Sequence, residues 1–342
     1  STCSQTWSIP SPAITDNCIG ALTCNASFSG NPNGNPGNLA GLASGSNSPT
    51  LTFMEGNTTV TQTANAEVGN LSSNSCTFTV SVQKTGIALD AKVFLAGPFD
   101  AALGLMHDSL RVLNTIPGTE PYTSSPYNKT AIAGPGGETV SSGVLSQTGS
   151  AAIVDWIMLE LRDGTNASNV IANKRALLRR DGKVVDVDGS SAVVFPNTIN
   201  GSYYISVKHR NHLGVMTANA VPMSVCTTNV YDFTTSVPVF TNPFITTSPR
   251  KVIGSVYALW PSDANNNKNA RYNGLSNDKD AVLTAIGGAG MVNTTVYNAY
   301  RMEDVNMDGK IRYNGTDNDR NVILNNIGVN TPNAILYQHT PN

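Results

Sequence analysis

The C-terminal part of the chain contains an internal repeat. Residues 261–288, PSDANNNKNARYNGLSNDKDAVLTAIGG, align without a gap with residues 302–329, MEDVNMDGKIRYNGTDNDRNVILNNIGV. A fixed repeat indicates that one small supersecondary unit occurs twice. The repeat therefore predicts a duplicated module at this end of the chain.

The second copy carries the ligand spacing of a calcium loop. Asp304, Asn306 and Asp308 occupy loop positions 1, 3 and 5. Gly309 provides the sharp turn at position 6, and the carbonyl of Lys310 fills position 7. Hard oxygen ligands at these positions surround calcium in EF-hand loops, so we expect calcium here. The alternative is an Asn- and Asp-rich turn that binds no metal.

The end of this loop departs from the EF-hand pattern. Gly315 stands at position 12, where an acid normally completes the coordination. Asp317 and Asp319 follow at the start of the next helical run. We therefore predict an extended loop that Asp319 closes, with Asp317 as an additional ligand. Both copies have an acid at the Asp319 position, whereas only the second has one at the Asp317 position.

The first copy has fewer acidic ligands than the second. Asn267 replaces the aspartate of position 5, and Lys268 replaces the glycine of position 6, where a side chain tolerates positive φ poorly. Lower ligand charge and a strained turn predict two calcium sites of unequal affinity, the second copy being tighter. The predicted ligands of the first copy are Asp263, Asn265, Asn267, Asn269 and Asp278.

One short helix is predicted after each loop. Asn and Asp residues open the runs SNDKDAVLTAIGG and DNDRNVILNNIGV, and Gly287 and Gly328 follow them as left-handed caps. A loop with one helix, present twice, resembles a dockerin-like module more than a complete EF-hand pair. Such a small unit buries little apolar surface, so we expect calcium to contribute much of its folding energy.

The remainder of the chain is predicted to be mainly β. Short apolar runs such as AIVDWIMLELRD and GSYYISVKHR lie between Gly, Asp and Pro residues, a pattern typical of β-sandwiches. We predict an Ig-like domain over residues 1–86, a central β-sandwich over 87–240 and the small α-containing calcium module over 251–335. Residues 30–49 have the Gly-, Pro- and Asn-rich composition of a flexible loop or linker, but we expect their own domain or a neighbouring molecule to hold them in order. Residues 237–251, with three prolines, are predicted to form a linker.

Residues 90–330 resemble a known group of surface proteins. The blocks AKVFLAGPFDAALGLMHDSLRVLNTIPGTEPY, IVDWIMLELRD, ALLRRDGKVVDVDG and YYISVKHRNHLGVM precede the two YNG…ND repeats in this order. They are similar to the C-terminal region of large hemagglutinin- or adhesin-like surface proteins of Bacteroidetes. Residues 56–82 look like the last strands of a hyalin-repeat, Ig-like domain. The resemblance implies a secreted protein of the cell surface or of a surface filament, without naming a ligand.

Composition limits the classes of partner and the cellular compartment that we expect for this chain. A net charge of −2 provides no basic field for nucleic acid, and no apolar run is long enough to span a membrane. The chain starts at Ser1 without an initiator methionine, as a processed or excised product would, so an intracellular location is not expected. Disulfides are expected at Cys3, Cys18, Cys24 and Cys76, whose spacing fits no zinc site, and Cys226 is expected to be a small buried hydrophobe.

The HRNH string at residues 209–212 is the most enzyme-like feature. His209, His212 and Asp155 could form a mononuclear metal or acid–base site. The alternative is a buried histidine with an Arg and Asn turn network that fastens neighbouring loops. The sequence contains no nucleophile elbow, zincin motif, P-loop or dinucleotide fingerprint, so no enzyme is predicted.

Three functions compete on this basis. The first is an extracellular, calcium-stabilised structural or adhesive surface protein. Its partners would be cell-surface proteins, glycans or further copies of itself, as in a homopolymeric surface filament. The second is a calcium-dependent carbohydrate-binding protein. The third is a hydrolase built on His209, His212 and Asp155.

Overall fold

The chain folds as two compact units, Ser1–Thr85 and Gly86–Asn342. The computed structural model is mainly β, with 40% strand and 11% helix, which confirms the predicted β character. It describes residues 4–8, 23–31, 34–43, 50–54, 56–65, 75–82, 86–125, 127, 136–225 and 227–341.

The first unit contains six described strands in two antiparallel sheets. They are β1 (Ser4–Ser8), β2 (Thr23–Ser29), β3 (Leu39–Ala43), β4 (Thr50–Met54), β5 (Gly56–Asn65) and β6 (Ser75–Val82). One sheet has the order β3-β2-β5-β6, and the other pairs β1 with β4. Every second side chain of β2 is buried, and Ala26 and Phe28 form a small core with Phe53 and Val60. This is the period-two pattern of a half-buried strand.

Part of the predicted loop at residues 30–49 is a strand. Leu39–Ala43 pairs antiparallel with β2, and Leu39 packs against the core. Pairing across the sheet therefore overrides the Gly-rich composition, because Leu39 packs against the core beside β2. Leu39–Ala43 are therefore held by their own unit, although the segment has the composition of a flexible loop.

The described cysteines of this unit form no disulfide. Cys24 is buried and Cys76 is exposed, and both are free. Cys24 lies opposite Ala64 on one side of β5, and Cys76 lies opposite Gln62 on the other side. Strands two places apart in a sheet are about 9–10 Å apart, too far for a disulfide. Cys3, Cys18 and Cys226 lie outside the described residues.

The second unit begins with a large sheet and its short connections. Its elements are β7 (Gly86–Lys92), β8 (Phe99–Asp100), β9 (Leu105–Met106), α1 (Ser109–Val112), α2 (Ser142–Leu145), β10 (Ile153–Asp163), β11 (Val170–Arg179), β12 (Lys183–Val185), β13 (Val193–Pro196), β14 (Gly201–Lys208), β15 (Val215–Met216), β16 (Val221–Met223) and β17 (Thr228–Asp232). Nine strands join in the order β13-β7-β12-β11-β10-β14-β15, with β16 beside β14 and β17 parallel to β7. The first ten residues of β10 are buried, so both faces of its strand are covered.

The remaining elements of this unit contain the two repeats. They are β18 (Lys251–Ile253), β19 (Val256–Ala258), β20 (Asn269–Arg271), α3 (Asp278–Ala285), β21 (Thr295–Tyr297), β22 (Lys310–Arg312), α4 (Asp319–Ile327) and β23 (Ile335–Tyr337). The two copies interlock, because β21, which follows α3, pairs with β22 of the second loop, and β23, which follows α4, pairs with β20 of the first. Val282 and Ile323 meet in a shared core, so neither copy is closed without the other.

The helix starts agree with the predicted caps. Asn277 and Asn318 are the N-caps, and their side chains accept the amides of Asp280 and Asn321. Gly287 and Gly328 both follow their helices with φ of 106°, but a ψ of 122° places Gly328 outside the left-handed helical region, so the predicted left-handed cap is wrong there. No helix among the described residues is long and apolar enough to cross a membrane.

The predicted linker between sheet and repeats is fastened to the sheet. Arg250 is 5% exposed, and its guanidinium donates to the carbonyls of Phe233, Thr235 and Val237 at 2.6–2.9 Å. The guanidinium also lies over the ring of Tyr257. Residues 86–342 accordingly form one compact unit that includes both the sheet and the repeats.

Candidate metal centre

The second loop folds around the carboxylate of Asp304. Its Oδ1 accepts the amide of Asp308 at 3.1 Å, and its Oδ2 accepts the amide of Gly309 at 2.9 Å. Asn306 Oδ1 also accepts the Asp308 amide at 3.1 Å, and Asp308 Oδ1 accepts the Lys310 amide at 2.9 Å. The side-chain oxygens of loop positions 1, 3 and 5 therefore face the inside of the loop.

Asp319 closes this loop from the first turn of α4. Its two carboxylate oxygens accept the amides of Val305 and Arg312, both at 2.9 Å, and the residue is fully buried. Asp317 contributes its backbone carbonyl, which accepts Asn306 Nδ2 at 2.9 Å, whereas the residue itself is exposed. Asp319 thus joins the beginning of the loop to β22.

The first loop repeats the same contacts. Asp263 Oδ1 accepts the Asn267 amide at 2.9 Å, and its Oδ2 accepts the Lys268 amide at 3.1 Å. Asn265 Oδ1 accepts the Asn267 amide at 3.2 Å, and Asn267 Oδ1 accepts the Asn269 amide at 3.1 Å. Each of these bonds has its counterpart at the equivalent residue of the second loop.

The first loop is closed in the same way. Asp278 accepts the amides of Ala264 and Arg271, both at 2.7 Å, and is fully buried. The carbonyl of Ser276, which corresponds to Asp317, accepts the side-chain amides of two loop asparagines at 2.8 and 3.1 Å. The backbone role of this position therefore does not depend on an acidic side chain.

Backbone strain is duplicated as well. Positive φ occurs at the matched pairs Asn266 (58°) and Met307 (60°), Lys268 (66°) and Gly309 (80°), and Ser276 (53°) and Asp317 (54°). A non-glycine residue in this region costs about 1–3 kcal/mol and persists only where its surroundings fix it. Lys268 thus adopts the strained conformation predicted for position 6.

Buried carboxylates lie close together in both loops. Burial, assisted by the charge of Asp263, raises the pKa of Asp278 to about 8. Burial raises the pKa of Asp304 to about 7, against the opposing charge of Arg210. Burial and Asp304 hold the pKa of Asp319 well above its usual value. Each loop thus contains desolvated acids without full compensation, and a cation would supply the charge that they lack.

The donor set suits calcium through mixed oxygen ligands. In the described part of the chain, no three His, Cys, Asp or Glu side chains are grouped so that they could hold a metal ion. Each loop instead combines carboxylate, amide and carbonyl oxygens, which is the ligand mixture that calcium accepts. Asp308 is additionally paired with the guanidinium of Arg312. The first loop has the neutral Asn267 at this position.

The HRNH segment follows β14 and is buried completely. His209 Nε2 lies 3.1 Å and Arg210 Nε 2.8 Å from the same oxygen of Asp155 on β10. Tyr300 donates its hydroxyl to the other oxygen at 2.6 Å. Burial alone would raise the pKa of Asp155, but the Arg210 charge and these bonds lower it to about 2. Asp155 is therefore an ion-pair partner at neutral pH.

His212 is held as one neutral tautomer. Its Nε2 accepts the Gly97 amide at 3.0 Å, so its Nδ1 carries the proton and donates to Asn211 Oδ1 at 2.8 Å. Burial, with the charges of His209 and Arg210, lowers the pKa of His212 well below its usual value. This bonding matches the interpretation of HRNH as a network that fastens neighbouring loops.

Asn211 is a site residue that sequence reasoning misses. It is fully buried, and its Nδ2 donates to the carbonyls of Met302 at 3.2 Å and Asp304 at 2.7 Å. The only sequence signal is its place in a run of four polar residues directly after a strand. That signal does not reveal the partners, which lie 91 and 93 residues away.

A cleft of about 650 Å³ lies beside the second loop. Its lining includes Tyr127, Tyr300, Arg301 and Glu303. Tyr127 is 5% exposed, and its hydroxyl donates to the Tyr300 carbonyl at 3.2 Å. Because the Arg210 guanidinium covers one face of Tyr300, the cleft offers little ring surface on which a sugar could stack.

Comparisons with protein-family models, with characterised proteins and with solved structures find no match for this chain. The two loops and the HRNH segment are therefore the features of this chain that bear on its function. The likeness to Bacteroidetes surface proteins stays a prediction from sequence blocks.

Proposed function

We propose that this chain is a calcium-stabilised structural or adhesive protein that works outside the cell, at a cell surface. The observation that carries the proposal is the bond-for-bond agreement of the two loops. Asp263 and Asp304 accept the same two loop amides, and Asp278 and Asp319 close the loops identically. Buried acids at these positions favour a bound cation, and oxygen ligands of this kind favour calcium.

Two calcium ions would stabilise the C-terminal part in a dockerin-like arrangement. The two copies share a core, and a strand of each pairs with a strand of the other, so an ion in either loop would stabilise both copies. The second loop would bind more tightly, since its position 5 is the acidic Asp308 where the first loop has the neutral Asn267. The ligands proposed for the second loop are Asp304, Asn306, Asp308, the Lys310 carbonyl, Asp319 and, in addition, Asp317.

The role at the cell surface is supported by the sequence blocks shared with adhesin-like proteins and by a strand-rich, weakly charged chain. Partners would be cell-surface proteins, glycans or further copies of the chain in a filament.

Thermal unfolding of the full chain in calcium, in magnesium and in EGTA tests this proposal. Calcium should raise the melting temperature of residues 86–342 by about 10 °C over EGTA, since about 1 kcal/mol shifts the melting temperature of a domain this size by 2–4 °C. Magnesium should raise it less. Equal melting in all three buffers would contradict the proposal.

A matched control separates calcium binding from turn stability. Asp188 accepts the amides of Ser190 and Ser191 in a turn outside the repeats, and Asp188→Ala should leave the calcium effect intact. Asp304→Ala should reduce the calcium effect.

Labelling of intact cells tests whether the protein lies at the cell surface. Light scattering with and without calcium tests whether the chain forms a filament. Calcium-dependent binding to a glycan array without polymer would support the carbohydrate-binding alternative instead.

A further inference from the structure

We propose that Asn211 is a positioning residue shared by both calcium loops, and that through it calcium in one loop raises the calcium affinity of the other. This inference rests on the proposed calcium binding. It concerns a residue that lies outside both repeats and provides no ligand itself.

Asn211 holds the first loop through its main chain. Its carbonyl accepts the amides of Ser262 at 3.1 Å and of Asp263 at 3.2 Å. Asp263 is the residue at position 1, whose carboxylate organises the whole loop. The main chain of Asn211 therefore fixes the backbone position from which the Asp263 side chain enters the loop.

Asn211 holds the second loop through its side chain. Its Nδ2 donates to the carbonyl of Asp304, the residue at position 1 of that loop, at 2.7 Å, and to that of Met302 at 3.2 Å. Equivalent residues of the two loops are thus bonded to opposite ends of one buried residue. This bridge joins the two loops over the length of a single asparagine.

The bridge is held rigidly by the residues around it. Asn211 Oδ1 bonds to His212 Nδ1, and His212 Nε2 accepts the amide of Gly97. Arg210, the preceding residue, is fixed by Asp155 and donates to the Arg301 carbonyl. Because Asn211 is 0% exposed, water cannot replace a bond that breaks. A shift of either loop start must therefore move the bridge or break a buried hydrogen bond.

Coupling follows from this arrangement. Calcium that fixes position 1 of one loop also fixes the bridge, so the other loop loses less conformational freedom when it binds its own ion. Such coupling acts equally in both directions. We expect each ion to raise the affinity of the other site by about 5- to 30-fold, within the range typical of coupled sites.

Two single-site variants of the full chain test the coupling without changing Asn211. Asp263→Asn disables the first site and Asp304→Asn the second, and calorimetry with calcium then measures the site that remains. In Asp304→Asn the first site should bind at least fivefold more weakly than the second ion binds to the unmodified chain, whereas in Asp263→Asn the second site, which fills first, should keep the affinity of the first binding step. If the first site of Asp304→Asn stays within twofold of that second ion, the coupling is wrong while calcium binding stands. If the unmodified chain binds no calcium, the proposed function itself fails.

Asn211→Ala locates the coupling. It removes the side-chain bonds to the second loop and keeps the main-chain bonds to the first, so the mutual dependence should fall below twofold. Asn229→Ala is the matched control, because Asn229 Nδ2 donates to the carbonyls of Ala88, Ser224 and Thr227, away from the loops. A dependence that persists in a folded Asn211→Ala variant would overturn the role of this residue.

Hydrogen exchange provides a readout that survives if Asn211→Ala does not fold. In Asp263→Asn only the second loop can take calcium, yet the amide of Ser262 donates to Asn211 in the first. Calcium should slow exchange of the Ser262 amide at least fivefold in this variant. Unchanged exchange at Ser262, with slower exchange inside the second loop, would show that the bridge does not transmit the effect.

Discussion

The two loops have the same backbone conformation but differ in the charge of their side chains. Position 1 accepts the same two amides in both, and position 3 accepts one of them again. Position 5, however, is Asn267 in the first loop and Asp308 in the second, and position 6 is Lys268 or Gly309. The loop conformation is therefore fixed by hydrogen bonds from side chains to amides, while the charge offered to a cation varies independently of it.

At position 6 the two loops have the same positive φ but different residues, and only the first loop has a side chain there. Lys268 accepts a φ of 66° because the Asp263 carboxylate binds its amide and the Gln338 amide binds its carbonyl. Gly309 has the same conformation without side-chain strain, and a Cβ there would lie 2.2 Å from Leu113 Cδ1. The first loop thus tolerates a side chain at position 6, whereas a side chain in the second loop would require Leu113 to move.

Removing the position 1 carboxylate should have the largest effect. Asp304→Ala should weaken the tighter site at least 100-fold, about 2.7 kcal/mol, and Asp263→Ala should weaken the looser one similarly. Calorimetry on both variants measures this. If Asp263→Ala removed the tighter site instead, the ranking of the two loops by ligand charge would be wrong.

The pH dependence of the calcium-free chain should come next. The folded-state pKa of Asp278, about 8, lies above its unfolded value of about 3.9, so the folded chain holds a proton that the unfolded chain has lost. Stability should therefore fall as pH rises, by roughly 2 kcal/mol between pH 6 and pH 8.

Asp278→Asn is the control for this effect, because it binds no proton at that position and leaves the other titratable side chains unchanged. Denaturant unfolding in EGTA at both pH values should show a weaker dependence in the variant than in the unmodified chain. With saturating calcium, the pH dependence of the free energy of unfolding should differ less between the variant and the unmodified chain, since calcium replaces the proton. Equal slopes in EGTA would contradict the buried, protonated carboxyl.

Exchanging the position 6 residues should sharpen the comparison further. Gly309→Lys should destabilise residues 86–342 by about 2 kcal/mol, because it adds positive-φ strain and meets Leu113. Lys268→Gly should stabilise them by about 1 kcal/mol, since it removes the strain. Denaturant unfolding with calcium measures both, and equal effects would mean that packing against Leu113 is unimportant.

Restoring the missing acid should have the smallest effect. Asn267→Asp should tighten the first site about tenfold, near 1.4 kcal/mol, because the loop gains one anionic ligand. Asn269→Asp is the control, since position 7 contributes a main-chain carbonyl. If only Asn269→Asp raised the affinity in calorimetry, the assignment of loop positions would be wrong.

Local features of the fold could be predicted from the sequence. The helices after each loop and their Asn277 and Asn318 caps depend on neighbouring residues, and the structure confirms them. Strand β3 could not be predicted, because its leucines become a strand only beside β2. The free state of Cys24 and Cys76 likewise depends on strand order, since β5 separates them.

The site divides in the same way. Spacing identified the loop residues of both copies, because side chains that bind amides two to five residues away act locally. Asn211 could not be identified, since its partners are brought to it by tertiary folding. The backbone role of Asp317 was missed for another reason: a carbonyl leaves no signature in the residue type.

A calorimetric titration of the calcium-free full chain tests the central claim most directly. Two ions should bind per chain with unequal affinity, the tighter site disappearing in Asp304→Ala and the weaker in Asp263→Ala. Absence of binding heat, together with identical melting in calcium and EGTA, would contradict the account. The repeat would then be a duplicated turn stabilised by its own hydrogen bonds alone.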